Sequence, residues 1–260
     1  MIANREHAGG GGGARRGTGV VGRYLADSRN PLNTVLLLLP IFLIYSAGLL
    51  MTGGVRNGVD LVSDLVRGWV FRGDDQAYLL FNLTGTAVVV LAAFVLRKQN
   101  QFRPGIYLVV LAEGTLYGLL LGSLVTRVLA LLPVAPPRMA LAAGAPGPFG
   151  VFDGVILSLG AGLWEELVFR WLLLGGMVRL LTRALKRPAI TAWVVGVLVS
   201  SVLFSALHYV GSLGDSFTLY SFLFRFLSGG IFSLIFGLRG LAVVVYTHAV
   251  YDIMVVVLRI

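Results

Sequence analysis

Apolar residues in this chain run in long continuous blocks, separated by short polar or basic breaks. The blocks fall at about 32–51, 78–96, 106–132, 155–177, 190–209, 218–238 and 240–258. Most approach or exceed the ~20 apolar residues that a helix needs to cross a bilayer. A membrane β-barrel is excluded, because its strands are short and alternate in polarity. The pattern predicts an all-α, polytopic transmembrane helical bundle of about seven spans (six to eight). Pro40 inside the first block predicts a kink. Between the first two blocks Val59, Val62, Leu65, Val66, Trp69 and Val70 recur at near-helical spacing, which predicts a short interfacial helix. Trp69, Tyr78 and Tyr209 stand at block ends and read as interface anchors.

The breaks complete the organisation. Residues 1–31 are polar and basic, with a glycine run at 9–13 followed by Arg15 and Arg16, and predict a disordered tail. The first block is long and lacks a small-residue cleavage site after it, so it reads as a retained signal anchor. The stretch 133–150 is rich in Pro, Gly and Ala and predicts a loop. The chain thus divides into a tail (1–31), three spans with an interfacial segment (32–132) and a core of four spans (150–258).

Composition sharpens this picture. Hydrophobic residues make up 57% of the chain and charged residues 13%, against about 25% charged in ordinary soluble domains. The net charge of +9 does not point to nucleic acid. Basic residues sit in the tail, at 97–103, at 179–187 and at Arg239, whereas the loops near 60–75, 133–152 and 210–217 are neutral, acidic or poor in charge. That alternation follows the positive-inside rule. It places the amino terminus in the cytoplasm and the carboxyl terminus outside, in what is expected to be a bacterial or archaeal cytoplasmic membrane. There is no cysteine, which excludes disulfides, thiolate metal sites and a cysteine nucleophile.

The candidate chemistry lies in the ionisable residues inside the blocks. Each costs about 2.5–3.5 kcal/mol at the centre of a membrane helix, so each needs a partner or a purpose. Glu166 and Arg170 are four apart and can pair along one helix face. Glu165 is rotated about 100° from Glu166 and is free to face a cavity. Phe204 and His208 share one helix face, and His248 and Asp252 share another. Antiparallel packing of the fourth and fifth blocks brings these groups towards one depth, with His208 the shallower. Peptide hydrolysis needs a water, a base and a partner for the developing negative charge, and Glu165, His208 and His248 fill those roles. Read blandly, Glu166–Arg170 is a structural ion pair, His208 a helix cap and His248–Asp252 a packing contact. Glu113 and Arg225 belong to no motif and read as helix-packing or substrate-channel residues.

Glu165-Glu166-x-x-x-Arg170, Phe204-x-x-x-His208 and His248-x-x-x-Asp252, in that order, resemble the CAAX protease and bacteriocin-processing (Abi-domain) family of intramembrane proteases. The resemblance covers about residues 150–258. It implies a glutamate-dependent peptidase in which Glu165 and His208 activate a water. His248 and the residue at 252 are implied to support the oxyanion, with Glu166 and Arg170 as a structural pair. The family carries asparagine or aspartate at the last position. An ionised Asp252 cannot donate to an oxyanion, so its expected role is to orient His248. Glu165, His208 and His248 are also ligand types that suit zinc, but the His-Glu-x-x-His signature is absent, and no cofactor is expected. The expected function is an intramembrane endopeptidase acting on a membrane-associated protein or exported peptide, near the bilayer face away from the cytoplasm. A catalytically silent scaffold binding a partner protein is the alternative. A proton-coupled transporter comes third, for want of an inverted repeat. The oligomeric state is left open.

Overall fold

The computed structural model describes residues 19–51, 72, 75–97, 105–134, 150–210 and 214–258. The segment 59–70 and most of the 133–150 loop lie outside the described residues, as does most of the tail. Among the described residues the chain is all-helical. The helices are α1 (Val20–Ser28), α2 (Pro31–Met51), α3 (Asp75–Arg97), α4 (Gly105–Leu129), α5 (Val151–Glu165), α6 (Gly175–Arg179), α7 (Ala189–Leu207), α8 (Leu219–Arg239) and α9 (Leu241–Asp252). Between α5 and α6 the backbone passes through a π-helical stretch, Glu166–Leu174, and two more such stretches follow, Leu180–Ala184 and Ile253–Leu258.

Five helical segments among the described residues are long and apolar enough to cross a membrane: Pro31–Leu49, Gly105–Leu129, Ala189–Leu207, Leu219–Arg239 and Leu241–Leu258. Helix α3 occupies the second expected block, and the path from α5 to Ala184 occupies the fourth. The outward side chains are apolar, among them Leu80, Leu91, Leu108, Leu116, Leu198 and Leu234. A surface of this kind is solvated by lipid, and the chain is an integral membrane protein.

Helix α1 departs from the sequence expectation. It lies inside the stretch predicted to be a disordered tail, yet Ser28 is buried and Tyr24 packs against the core. The reason is a partner that is remote in sequence: Tyr24 donates a hydrogen bond to Glu113 of α4, at 2.5 Å.

Helix α9 is the axis of the bundle. Ala242, Val243, Val244 and Val245 are buried, and α9 packs against α2, α4, α5 and α8. Lipid is as apolar as leucine, so helices in a bilayer associate through close packing at small residues. Glycines supply it here. A methyl group at Gly162 of α5 would lie 2.7 Å from the backbone nitrogen of Ala249, and one at Gly118 of α4 would lie 2.8 Å from the carbonyl oxygen of Thr247. Gly162 is one turn before Glu165, and Ala249 follows His248. The glycine therefore lets the backbones of the two site-bearing helices touch.

Candidate active site

Four elements meet around Glu165. It ends α5, Glu166 and Arg170 stand on the π-helical stretch, His208 caps α7, and His248 and Asp252 lie on α9. The π geometry is visible in the backbone: the amide of Gly175 donates to the carbonyl of Arg170, five residues back. Such wide turns displace backbone carbonyls and cluster at functional sites. Here Ser200 of α7 donates to the carbonyl of Phe169 at 2.8 Å, tying the widened turn to its neighbour.

Glu166 and Arg170 form the expected internal pair, at 3.1 Å, with both side chains fully buried. Arg170 lies over the Phe204 ring at 4.3 Å and near Phe232 at 5.1 Å, so aromatic faces take up the cation where no water reaches it. Glu166 has a second partner that the sequence motifs do not disclose. Its Oε1 accepts from Nδ1–H of His248, at 2.7 Å. The orienting bond on His248 therefore comes from Glu166, whereas Asp252 Oδ2 stands 3.5 Å from His248 Nε2. Asp252, expected to orient the ring, thus stands beside it but is the more distant of its two carboxylate neighbours. Phe232 stacks on His248, with centroids 4.6 Å apart, and fixes its plane.

His208 is set by its own helix end. Its Nδ1–H donates to the carbonyl of Phe204 at 2.7 Å. A carbonyl can only accept, so the neutral ring has its lone pair on Nε2. That nitrogen faces Glu165 Oε2 at 4.0 Å, and His248 Nε2 faces the same oxygen at 3.9 Å. Glu165 is 3% exposed. Among the described residues its Oε2 has no hydrogen-bond partner. The depth difference expected between His208 and Glu165 is thus closed by packing.

The three groups stand at a cavity of about 400 Å³ whose lining also includes Phe204, Asp252, Tyr251, Ser228, Arg225 and Asp215. Tyr251, Ser228 and Asp215 carried no signal in the sequence, because nothing local distinguishes a cavity-lining residue from a packing one. Arg225, read as a packing or channel residue, lines the cavity as well. Among the described residues no three His, Asp or Glu side chains are arranged to hold a metal ion. The Nδ1 of His248 is engaged by Glu166, which leaves Nε2 as the ring atom that faces Glu165.

A second, partly buried ionic cluster lies elsewhere in the bundle. Arg239 donates through Nε to Glu113 Oε1 at 2.5 Å and through Nη2 to Oε2 at 2.8 Å. Tyr24 and Tyr117 donate to the same carboxylate. Burial, and then the Glu113 carboxylate, push the Tyr24 phenol up, so it remains a donor.

Fold and site together define a helical membrane protein with a carboxylate–imidazole cluster in its interior. Within that class, residues 147–254 match the family model described as type II CAAX prenyl endopeptidase Rce1-like. The matched segment contains all of the residues named above around Glu165, and of the Glu113 cluster it contains Arg239 alone. No curated protein and no solved structure matches the chain.

Proposed function

We propose that the chain is an intramembrane endopeptidase that hydrolyses a peptide bond in a membrane-associated protein or exported peptide. The observation that carries this reading is Oε2 of Glu165, which is buried, has no hydrogen-bond partner among the described residues and faces Nε2 of both His208 and His248 at about 4 Å. Two acceptors 4.0 Å apart can share one water through hydrogen bonds of about 2.8 Å. Glu165 and the His208 lone pair would hold that water, and Glu165 would take its proton as the oxygen attacks the carbonyl carbon. The tetrahedral intermediate then carries an oxyanion, and His248, protonated and braced through Nδ1 by Glu166, would donate from Nε2 to it. The proton on Glu165 passes to the leaving amine as the C–N bond breaks. Asp252 would assist by keeping the Nε2–H of His248 in place. No step runs through a metal.

The basic loops support an amino terminus in the cytoplasm, with the cavity opening to the other face. That orientation favours an exported leader or a membrane anchor as substrate over one presented from the cytosol.

The test is a comparison of membrane proteomes from native-host cells that express the wild type or Glu165→Ala at equal levels. New protein termini present only with the wild type are the expected result, and their position in the bilayer reports the catalytic face. Identical termini in both strains would sink the peptidase reading and favour a scaffold.

A further inference from the structure

We propose that Arg225 anchors a subsite for a carboxylate of the substrate, and that Asp215 occupies this subsite when substrate is absent. The inference rests on the peptidase reading and names a chemical requirement of its substrate.

Helix α8 presents Ser221, Arg225, Ser228 and Phe232 to the cavity at spacings of four, three and four residues, a single face of the helix. The Phe232 end stacks on His248, so the stripe leads from the proposed reacting groups outwards. Seven helical residues separate Phe232 from Arg225, about 10 Å of axis. That is the reach of roughly three residues of extended peptide.

The guanidinium is held in place before any ligand arrives. Its Nη1 donates to Ser221 Oγ at 2.5 Å and to the Tyr209 hydroxyl at 2.9 Å. Tyr209 and Ser221 are themselves hydrogen-bonded at 2.7 Å, and the cation lies 5.3 Å from the Tyr209 ring centroid. The other terminal nitrogen, Nη2, pairs with Asp215. Asp215 is 56% exposed, against 25% for Arg225. Ion pairs of exposed groups contribute little stability, so this carboxylate can be exchanged for another at small cost. A planar fork fixed in this way suits a carboxylate better than a neutral amide.

The rest of the lining strengthens the selection. Glu165 and Asp252 also face the cavity and repel an anion from its inner end, which leaves the Arg225 end as the place for it. One turn inward, the Ser228 hydroxyl is buried and has no partner among the described residues. It stands where the peptide between the anchored carboxylate and the scissile bond would pass, and it can bond to that backbone.

The carboxylate could be the carboxyl terminus of the substrate or an acidic side chain, and the experiment separates the two. The full chain, as Glu165→Gln in lipid nanodiscs, is titrated against dye-labelled ten-residue peptides and read by fluorescence anisotropy. One matched series compares a free carboxyl terminus with an amidated one, and the other compares Asp with Asn at each internal position. Neutralising the recognised carboxylate is expected to weaken binding about tenfold, and the series that responds identifies its source. The difference should vanish when Arg225→Gln is added and should shrink with Arg225→Lys, which keeps the charge but loses the fork. Asp215→Asn alters an exposed side chain and should tighten binding a few-fold by removing the competitor. Equal binding of acid and neutral peptides, no peptide binding at all, or weaker binding to Asp215→Asn would each overturn the subsite. If carboxylate peptides bind through Arg225 but wild-type protein leaves them uncut, the subsite stands and the peptidase reading falls.

Discussion

Two carboxylates inside this bundle, Glu113 and Glu165, are treated in opposite ways. Glu113 is saturated: both oxygens take a fork from Arg239, and two tyrosines add a hydrogen bond each. Glu165 is starved: it is buried, its Oε2 has no hydrogen-bond partner among the described residues, and the two imidazole nitrogens it faces are too distant to bond directly. Unmet polar groups are costly in a low-dielectric interior. A carboxylate whose bonds are complete holds helices together. One that is rigidly surrounded but left incomplete is arranged to bond something that comes and goes. Glu166 lies between these cases, complete on Oε1 through Arg170 and His248, and so links the buried arginine to the imidazole that faces Glu165.

The largest effect is expected at Glu165. Glu165→Gln keeps the shape but removes the base, and peptidase activity should fall by about 10²–10⁴-fold. Thermal stability should stay near wild type, because the substitution breaks no hydrogen bond to Oε2. A mutant that unfolds while its folded fraction keeps full activity would reverse the assignment and make Glu165 another Glu113.

Glu166→Gln should behave differently. It leaves Arg170, fully buried, without its counter-ion. Removing one partner of a buried pair typically costs about 3–5 kcal/mol. Thermal unfolding in nanodiscs should show the loss of stability, and activity should fall with it because the brace on His248 loses its negative charge. Retained stability would mean that the aromatic rings around Arg170 suffice for the cation.

Glu113→Gln tests the other side of the comparison. Gln still accepts one hydrogen bond, and Arg239 is 8% exposed, so the expected cost is about 1–3 kcal/mol. The loss should appear as easier melting, with cleavage per folded molecule unchanged. A fall in the turnover of folded protein would show that the clamp between α1, α4 and α8 reaches the site.

What the sequence discloses follows the same division between local and remote. The spans are legible because a block of about 20 apolar residues is a local property. The pairs Glu166–Arg170, Phe204–His208 and His248–Asp252 are legible because four residues bring side chains onto one helix face. The bonds that complete the two clusters are not legible. Glu166 and His248 are 82 positions apart, and Glu113 and Arg239 are 126 apart; only the packed bundle brings them together. Helix α1 is missed for the same reason, since its partner is on α4. The π-helical stretch at Glu166–Leu174 is missed because a change of hydrogen-bond register leaves no mark on an apolar pattern.

The smallest effect is expected at Asp252, and it sharpens the contrast between the two partners of His248. Glu166 meets Nδ1 at 2.7 Å from a fully buried position, whereas Asp252 meets Nε2 at 3.5 Å and is 22% exposed. Asp252→Asn keeps an oxygen that can accept from the ring and adds an amide that can donate to an oxyanion. The change should cost under ~1 kcal/mol in the transition state, less than about fivefold in rate. Steady-state cleavage by Asp252→Asn, compared with Asp252→Ala, measures it. If the asparagine variant is as dead as Glu165→Gln, the negative charge at 252 is itself required, and the support of His248 is shared between two carboxylates. If it is nearly as active as wild type, Glu166 alone holds the imidazole, and position 252 needs only a polar group.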